Sequence, residues 1–184
     1  MRIDIFKHLT IVNFNYDRCV EHFLFHAIQA WSLKHERDIA ELMKGLKIYH
    51  PYGSVGDLPW QSEEGIEFGA EADELGLLES SSRIWTFNEE VEDNTKIRKI
   101  LSSATRIIFL GFHFHPQNMD LMKAPNAHTS TANKQAYATA IARLLSDQTL
   151  IQTQISQLGC GTIHIKKDWD CLGLFREFGT TWLG

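Results

Sequence analysis

The sequence predicts an α/β protein, a three-layer sandwich around a mainly parallel sheet. Three observations carry that expectation. Short apolar runs rich in β-branched and aromatic residues recur along the chain. Segments with helical apolar periodicity separate them. One run, Arg106-Ile107-Ile108-Phe109-Leu110-Gly111-Phe112, is apolar on both faces, as a strand inside a parallel sheet must be. The 184 residues suit one domain, residues 1–184, with an insertion.

The elements follow in order. Thr10-Ile11-Val12-Asn13-Phe14 reads as the first strand and ends at Asn15-Tyr16-Asp17. Asp17 can cap a helix whose stripe is Val20, Phe23, Leu24, Ala27, Ile28 and Trp31. A second helix, about 36–44, carries Ile39, Leu42 and Met43 and stops near Gly45. Leu46-Lys47-Ile48-Tyr49 is a short strand leading into His50. A helix over 94–104 places Ile97, Ile100 and Leu101 together and precedes the strand at 106–112. Pro116 suits the first turn of a helix with Met119 and Met122 facing inward. A strand at 136–141 follows. Then come a helix over 146–158 with Leu150, Ile151, Ile155 and Leu158, and a last strand, Thr162-Ile163-His164-Ile165.

The charge is uneven. Residues 57–93 hold twelve acids and one base, Arg83, so the segment carries −11 and the remainder +6. With Gly65, Gly69, Gly76 and three consecutive serines it reads as a solvated, acidic, loop-rich insertion with little core of its own. A formal net charge of −5 does not mark a nucleic-acid binder. No apolar run approaches the roughly 20 residues of a membrane span, and the N-terminus is not a secretory signal. Cys19, Cys160 and Cys171 are odd in number and contain no C-x-x-C, which argues against a disulfide framework or a four-cysteine zinc site. The expectation is a reduced, cytoplasmic, soluble domain, with Cys19 in the core.

Ligands of open parallel sheets bind beyond the carboxyl ends of the strands. Three polar segments fall at such ends: Asn15-Tyr16-Asp17, His50-Pro51-Tyr52-Gly53-Ser54, and 111–118 with Gly111, Phe112, His113 and His115. If the strands are adjacent, the three meet at one rim. Each residue also has a plainer reading. Asp17 reads as a cap before it reads as an acid, and Tyr16 as core. Asn15 has less structural excuse and can donate to a ligand. His50 is equally a general base or a loop histidine. Gly53 and Gly56 permit close backbone approach of a ligand, or of nothing more than the loop. Pro59-Trp60 forms a wall over a pocket or anchors the insertion. His113 and His115 point to one side of an extended segment, and with His50 or Asp120 they make metal-dependent hydrolysis an outside alternative. No G-x-S-x-G elbow is present.

Ile11-Val12-Asn13-Phe14-Asn15-Tyr16-Asp17, His50 with Tyr52-Gly53-Ser54, and Ile108-Phe109-Leu110-Gly111-Phe112 with Pro116-Gln117-Asn118 resemble, in order and wording, the sirtuin-like domains of bacteria. Tyr137-Ala138-Thr139-Ala140 is also similar to that group. The resemblance implies a Rossmann-like NAD pocket, and several such domains are NAD-consuming effectors of antiphage defence. It implies that Asn15 contacts the nicotinamide ribose with Asp17 and Tyr16 beside it, and that His50 acts as base on ribose or positions water. Gly53 and Ser54 then adjoin the cofactor, and Gly111, Phe112 and His113 lie toward the adenosine side. Breaking the nicotinamide–ribose bond develops oxocarbenium charge, which oriented polar groups stabilise. Protein deacylation normally accompanies a four-cysteine zinc module, absent from this sequence, so no metal is expected. Two departures stand out. The chain looks like the family minus its first βαβ step, since it has no glycine-rich phosphate grip. Pro51 and Tyr52 separate His50 from Gly53, where typical sirtuins have His-Gly directly. The expectation is NAD hydrolysis when the domain is complete, with self-association or a partner chain supplying the missing N-terminal element. The alternative is a catalytically silent binding or assembly module.

Overall fold

The structure is a computed structural model that describes residues 5–71, 81–84, 94–123, 131–139, 145–166 and 168–183. The chain divides into two compact units, residues 1–93 and 94–184. Each is α/β, and every pairing between its named strands is parallel. The alternation is Rossmann-like, as the sequence predicts.

In the first unit β1 (Thr10–Val12) is followed by α1 (Cys19–Ser32), α2 (Glu36–Met43) and β2 (Lys47–Tyr49). The two strands pair parallel, with Ile11 opposite Ile48. Asn13 N–H extends the ladder by donating to the Tyr49 carbonyl at 2.8 Å. The core joins Phe6, Phe25, Ile39 and Met43, with Leu24, Ile28 and Trp60 packed around them. This corrects the stripe on α1. Phe23 is 68% exposed and Trp31 87% exposed, whereas Glu21 and Phe25 are buried. Of the predicted stripe Leu24 and Ile28 meet the core but Phe23 and Trp31 do not, because the helix is apolar on more than one side and the 3.6 period alone does not choose between them. Cys19 and Tyr16 are likewise exposed rather than core.

The second unit runs α3 (Asn94–Ser103), β3 (Arg106–Phe109), α4 (Pro116–Met122), β4 (Thr131–Thr139), α5 (Leu145–Ser156), β5 (Cys160–Lys166) and α6 (Cys171–Leu183). The sheet order is β3-β4-β5. β3 ends at Phe109, before the expected end, and its Ile107 and Phe109 are buried while Ile108 is exposed. β4 begins earlier than the apolar run suggests, and residues 140 and 141 lie outside the described residues. On α5, Ile151 and Ile155 are buried but Leu150 is exposed. Beyond the predicted elements the structure adds α6. Its Phe178 and Trp182 pack edge-on against Tyr137 of β4, at ring separations of 4.8 and 5.2 Å.

One buried cation belongs to this unit's frame. Lys134 Nζ donates to the Leu101 carbonyl in the last turn of α3 (2.6 Å) and to the Leu158 carbonyl just beyond α5 (2.8 Å). Helix carboxyl ends carry partial negative charge, so both bonds favour the ammonium. Burial acts the other way and lowers the Lys134 pKa. Among the described residues no helix is long and apolar enough to cross a membrane.

Candidate functional site

The parallel pairing of β1 and β2 places the residues after Val12 beside the residues after Tyr49. Two of the three predicted polar segments therefore meet. His50 Nδ1 lies 2.7 Å from the Asn15 carbonyl oxygen, and Val55 N–H donates to the Tyr16 carbonyl at 3.1 Å. Asn13 organises the turn by accepting from Asn15 N–H through its Oδ1 at 3.1 Å. Asp17 does the same one step on, accepting from Cys19 N–H at 3.0 Å where α1 begins. Both are side-chain turns of the kind asparagine and aspartate favour.

The principal partner of His50 is a residue that sequence reasoning missed. Glu21 Oε1 lies 2.6 Å from His50 Nε2, and both side chains are largely buried. A carbonyl only accepts, so Nδ1 of His50 carries a proton. The short Nε2 contact then holds one further proton between imidazole and carboxylate. Burial alone would lower the His50 pKa. The Glu21 hydrogen bond, the Asn15 carbonyl and the charges of Glu21 and Asp17 outweigh it, and the net effect is upward from 6.5. His50 is thus clasped at both nitrogens, an arrangement that favours its charged form. It serves as a base only through the proton it shares with Glu21.

A cavity of about 390 Å³ adjoins this pair, and Glu21, His50, Ser54, Asp57 and Trp60 are among the residues lining it. Trp60 is therefore a pocket wall, one of the two roles its position suggested. It stacks on Phe25 with ring centres 5.2 Å apart. Arg18 holds the start of the acidic segment. Its guanidinium donates to the carbonyls of Asp57 (2.8 Å), Ile66 (2.7 Å) and Glu67 (3.4 Å). Leu58 is fully buried and anchors the segment, while Glu63, Glu64, Ile66, Glu67 and Phe68 are exposed, so residues 57–71 are largely solvated with little core of their own, as expected. Residues 72–80 and 85–93 lie outside the described residues.

The neighbour of Gly53 is the chain itself. Gly53 has φ +77°, pairs with Ile84 in an antiparallel bridge, and would carry a Cβ only 1.8 Å from the Arg83 carbonyl oxygen. The left-handed backbone and the close approach both require glycine. Gly53→Ala is expected to cost about 2–3 kcal/mol without any ligand present, read as a lowered midpoint in urea unfolding.

The third segment belongs to the second unit. Gly111 follows β3 with φ +59°, and its N–H donates to Thr139 Oγ1 at 3.4 Å. Phe112 packs with Phe109 and Phe114, at 5.5 and 5.1 Å between ring centres. His113 is exposed, and His115 stands at the N-cap of α4. Among the described residues no three His, Cys, Asp or Glu side chains gather as a metal site, so His113 and His115 belong to no such group.

Compared with known proteins, the chain matches no family model, no curated protein and no solved structure.

Proposed function

We propose that the chain is a sirtuin-like NAD-binding domain that hydrolyses the nicotinamide–ribose bond, and that it serves as a defence-type effector. The observation that supports the reading is the meeting of Asn15 and His50, 35 residues apart, beyond the carboxyl ends of two parallel strands and beside a cavity. That is where α/β sheets bind nucleotides.

The residues suit the chemistry. As the C1′–N bond breaks, its electron pair passes to the pyridinium nitrogen and positive charge builds on the ribose. The Glu21 carboxylate, largely excluded from water, favours that charge. Water then adds to C1′, and its proton passes to the Glu21–His50 couple and on to solvent. The exposed Asn15 side chain is free to orient a ribose hydroxyl.

One observation favours a second reading, a catalytically silent binding module. Both ring nitrogens of His50 already bond within the protein, so the ring also serves as a tie between the two loops. Purified protein incubated with NAD distinguishes the two. Nicotinamide release that falls at least about 100-fold in Asn15→Ala and His50→Ala is the expected result. No release and no NAD-induced rise in melting temperature supports the silent module. Turnover unchanged in both variants removes the site assignment.

A further inference from the structure

We infer that the outer face of α1 pairs with the same face of a second copy of this chain, the two helices lying antiparallel about a two-fold axis. The inference uses no part of the NAD reading. It begins from what the face lacks. Of the residues of α1 only Glu21 carries a formal charge, and it is buried with Phe25 on the inner side of the helix. A helix face turned to water is normally charged or polar. Here Phe23, Ala27 and Trp31 follow one another at four-residue spacing with Ala30 beside them, and Phe23 and Trp31 leave most of their surface exposed. Two copies can close on this face without bringing like charges together, although the chain carries −5.

A second, independent observation lies at the end of the helix. Leu33 takes the C-terminal cap position in the left-handed conformation, φ +53°, where glycine is the unstrained choice. It is 90% exposed, so the strained leucine buries little within its own chain. An apolar side chain held in strain next to Trp31 contributes only when something covers it.

Area and shape select a second copy. Phe23, Trp31 and Leu33 together offer about 500 Å² of exposed apolar surface. The flanking His26, Ala27 and Ala30 bring the face toward the roughly 800 Å² per partner of a standard interface. A two-fold contact needs a patch that complements itself. This one is bulky at both ends and small in the middle. With the helices antiparallel, the alanines let the axes approach to about 8 Å. Phe23 of each copy then lies beside Trp31 of the other as an aromatic pair. An area at the low end of its class corresponds to a dissociation constant of about 10 µM.

Sedimentation velocity of the full chain from about 1 to about 300 µM tests this. The mass is expected to pass from that of one chain to that of two. Phe23→Glu and Trp31→Lys, both at exposed positions, are expected to keep the circular dichroism of the wild type and to weaken the dimer at least about 30-fold. Their equimolar mixture is expected to recover it, because each mixed pair keeps one Phe23–Trp31 contact and sets the new carboxylate against the new ammonium. Leu33→Gly is expected to melt about 2–4 °C higher at about 1 µM while dimerising about tenfold less, the signature of strain held for a surface contact. A single-chain mass throughout, the outcome if another protein or another part of this chain covers the face, overturns the inference. So does growth past the dimer, association that neither charged variant weakens, or a mixture no larger than its components. A Leu33→Gly variant that melts lower, or dimerises as well as the wild type, overturns it too. NAD turnover enters none of these readings, so either proposal can fail alone.

Discussion

Glu21→Ala is expected to destabilise the protein by about 2–3 kcal/mol at mildly acid pH, and by less as pH rises. Breaking a buried ion pair commonly costs about 3–5 kcal/mol, because one charge is left buried and uncompensated. His50 limits the loss, since it can shed its second proton once the carboxylate is gone. The pH dependence follows from the direction of its shift. A histidine raised above 6.5 in the folded state binds its proton more tightly there than in the unfolded chain. Its contribution is complete below 6.5 and disappears as pH rises through the folded value. Chemical denaturation at about pH 5.5 and about pH 8.5 checks this. The gap between wild type and Glu21→Ala should be wider at the lower pH, and a gap that widens with pH would show that the pair does not hold a proton.

Arg18→Ala is expected to cost about 3 kcal/mol and to release residues 57–71 to proteolysis. Three carbonyls from one segment converge on a guanidinium that is itself buried. Hydrogen bonds to a charged donor are worth about 1.5–3 kcal/mol each, and the longest of the three is a weak one. Against them stands desolvation, which lowers the Arg18 pKa despite the attraction of Glu21 and Asp57. Arg18→Lys should recover only part of the loss, because an ammonium lacks the planar fork that reaches separate carbonyls. Limited proteolysis with fragment mass mapping reads the release directly. Equal cleavage rates in wild type and Arg18→Ala would mean the clamp does not hold the segment.

The strands and most helices were legible because their signals are local. The strand starting at Arg106 and the helix starting at Pro116 are examples, and both appear in the structure, the strand ending three residues early. The last helix was not predicted, although Leu174, Phe178 and Trp182 recur four apart. The inner face of α1 was not. Val20, Phe23, Ala27 and Trp31 make as good a stripe as Leu24, Phe25 and Ile28, and only tertiary packing chooses between them. Glu21 was hidden for a related reason. A glutamate on a helix reads as solvated until its partner is known, and His50 reaches it only through the pairing of β1 with β2. Arg18 is the same case, with partners 39 to 49 residues away. The meeting of Asn15 and His50 was legible because each follows a strand, and parallel pairing brings such positions together.

The imidazole of His50, clasped between a carboxylate and a carbonyl, underlies both the stability and the chemistry proposed for the first unit. Following its ring nitrogens by nitrogen-15 NMR across pH tests that arrangement most directly. A titration midpoint above 6.5 in the wild type, falling back in Glu21→Gln, is the predicted result. A midpoint at or below 6.5 that the substitution leaves unmoved would contradict it.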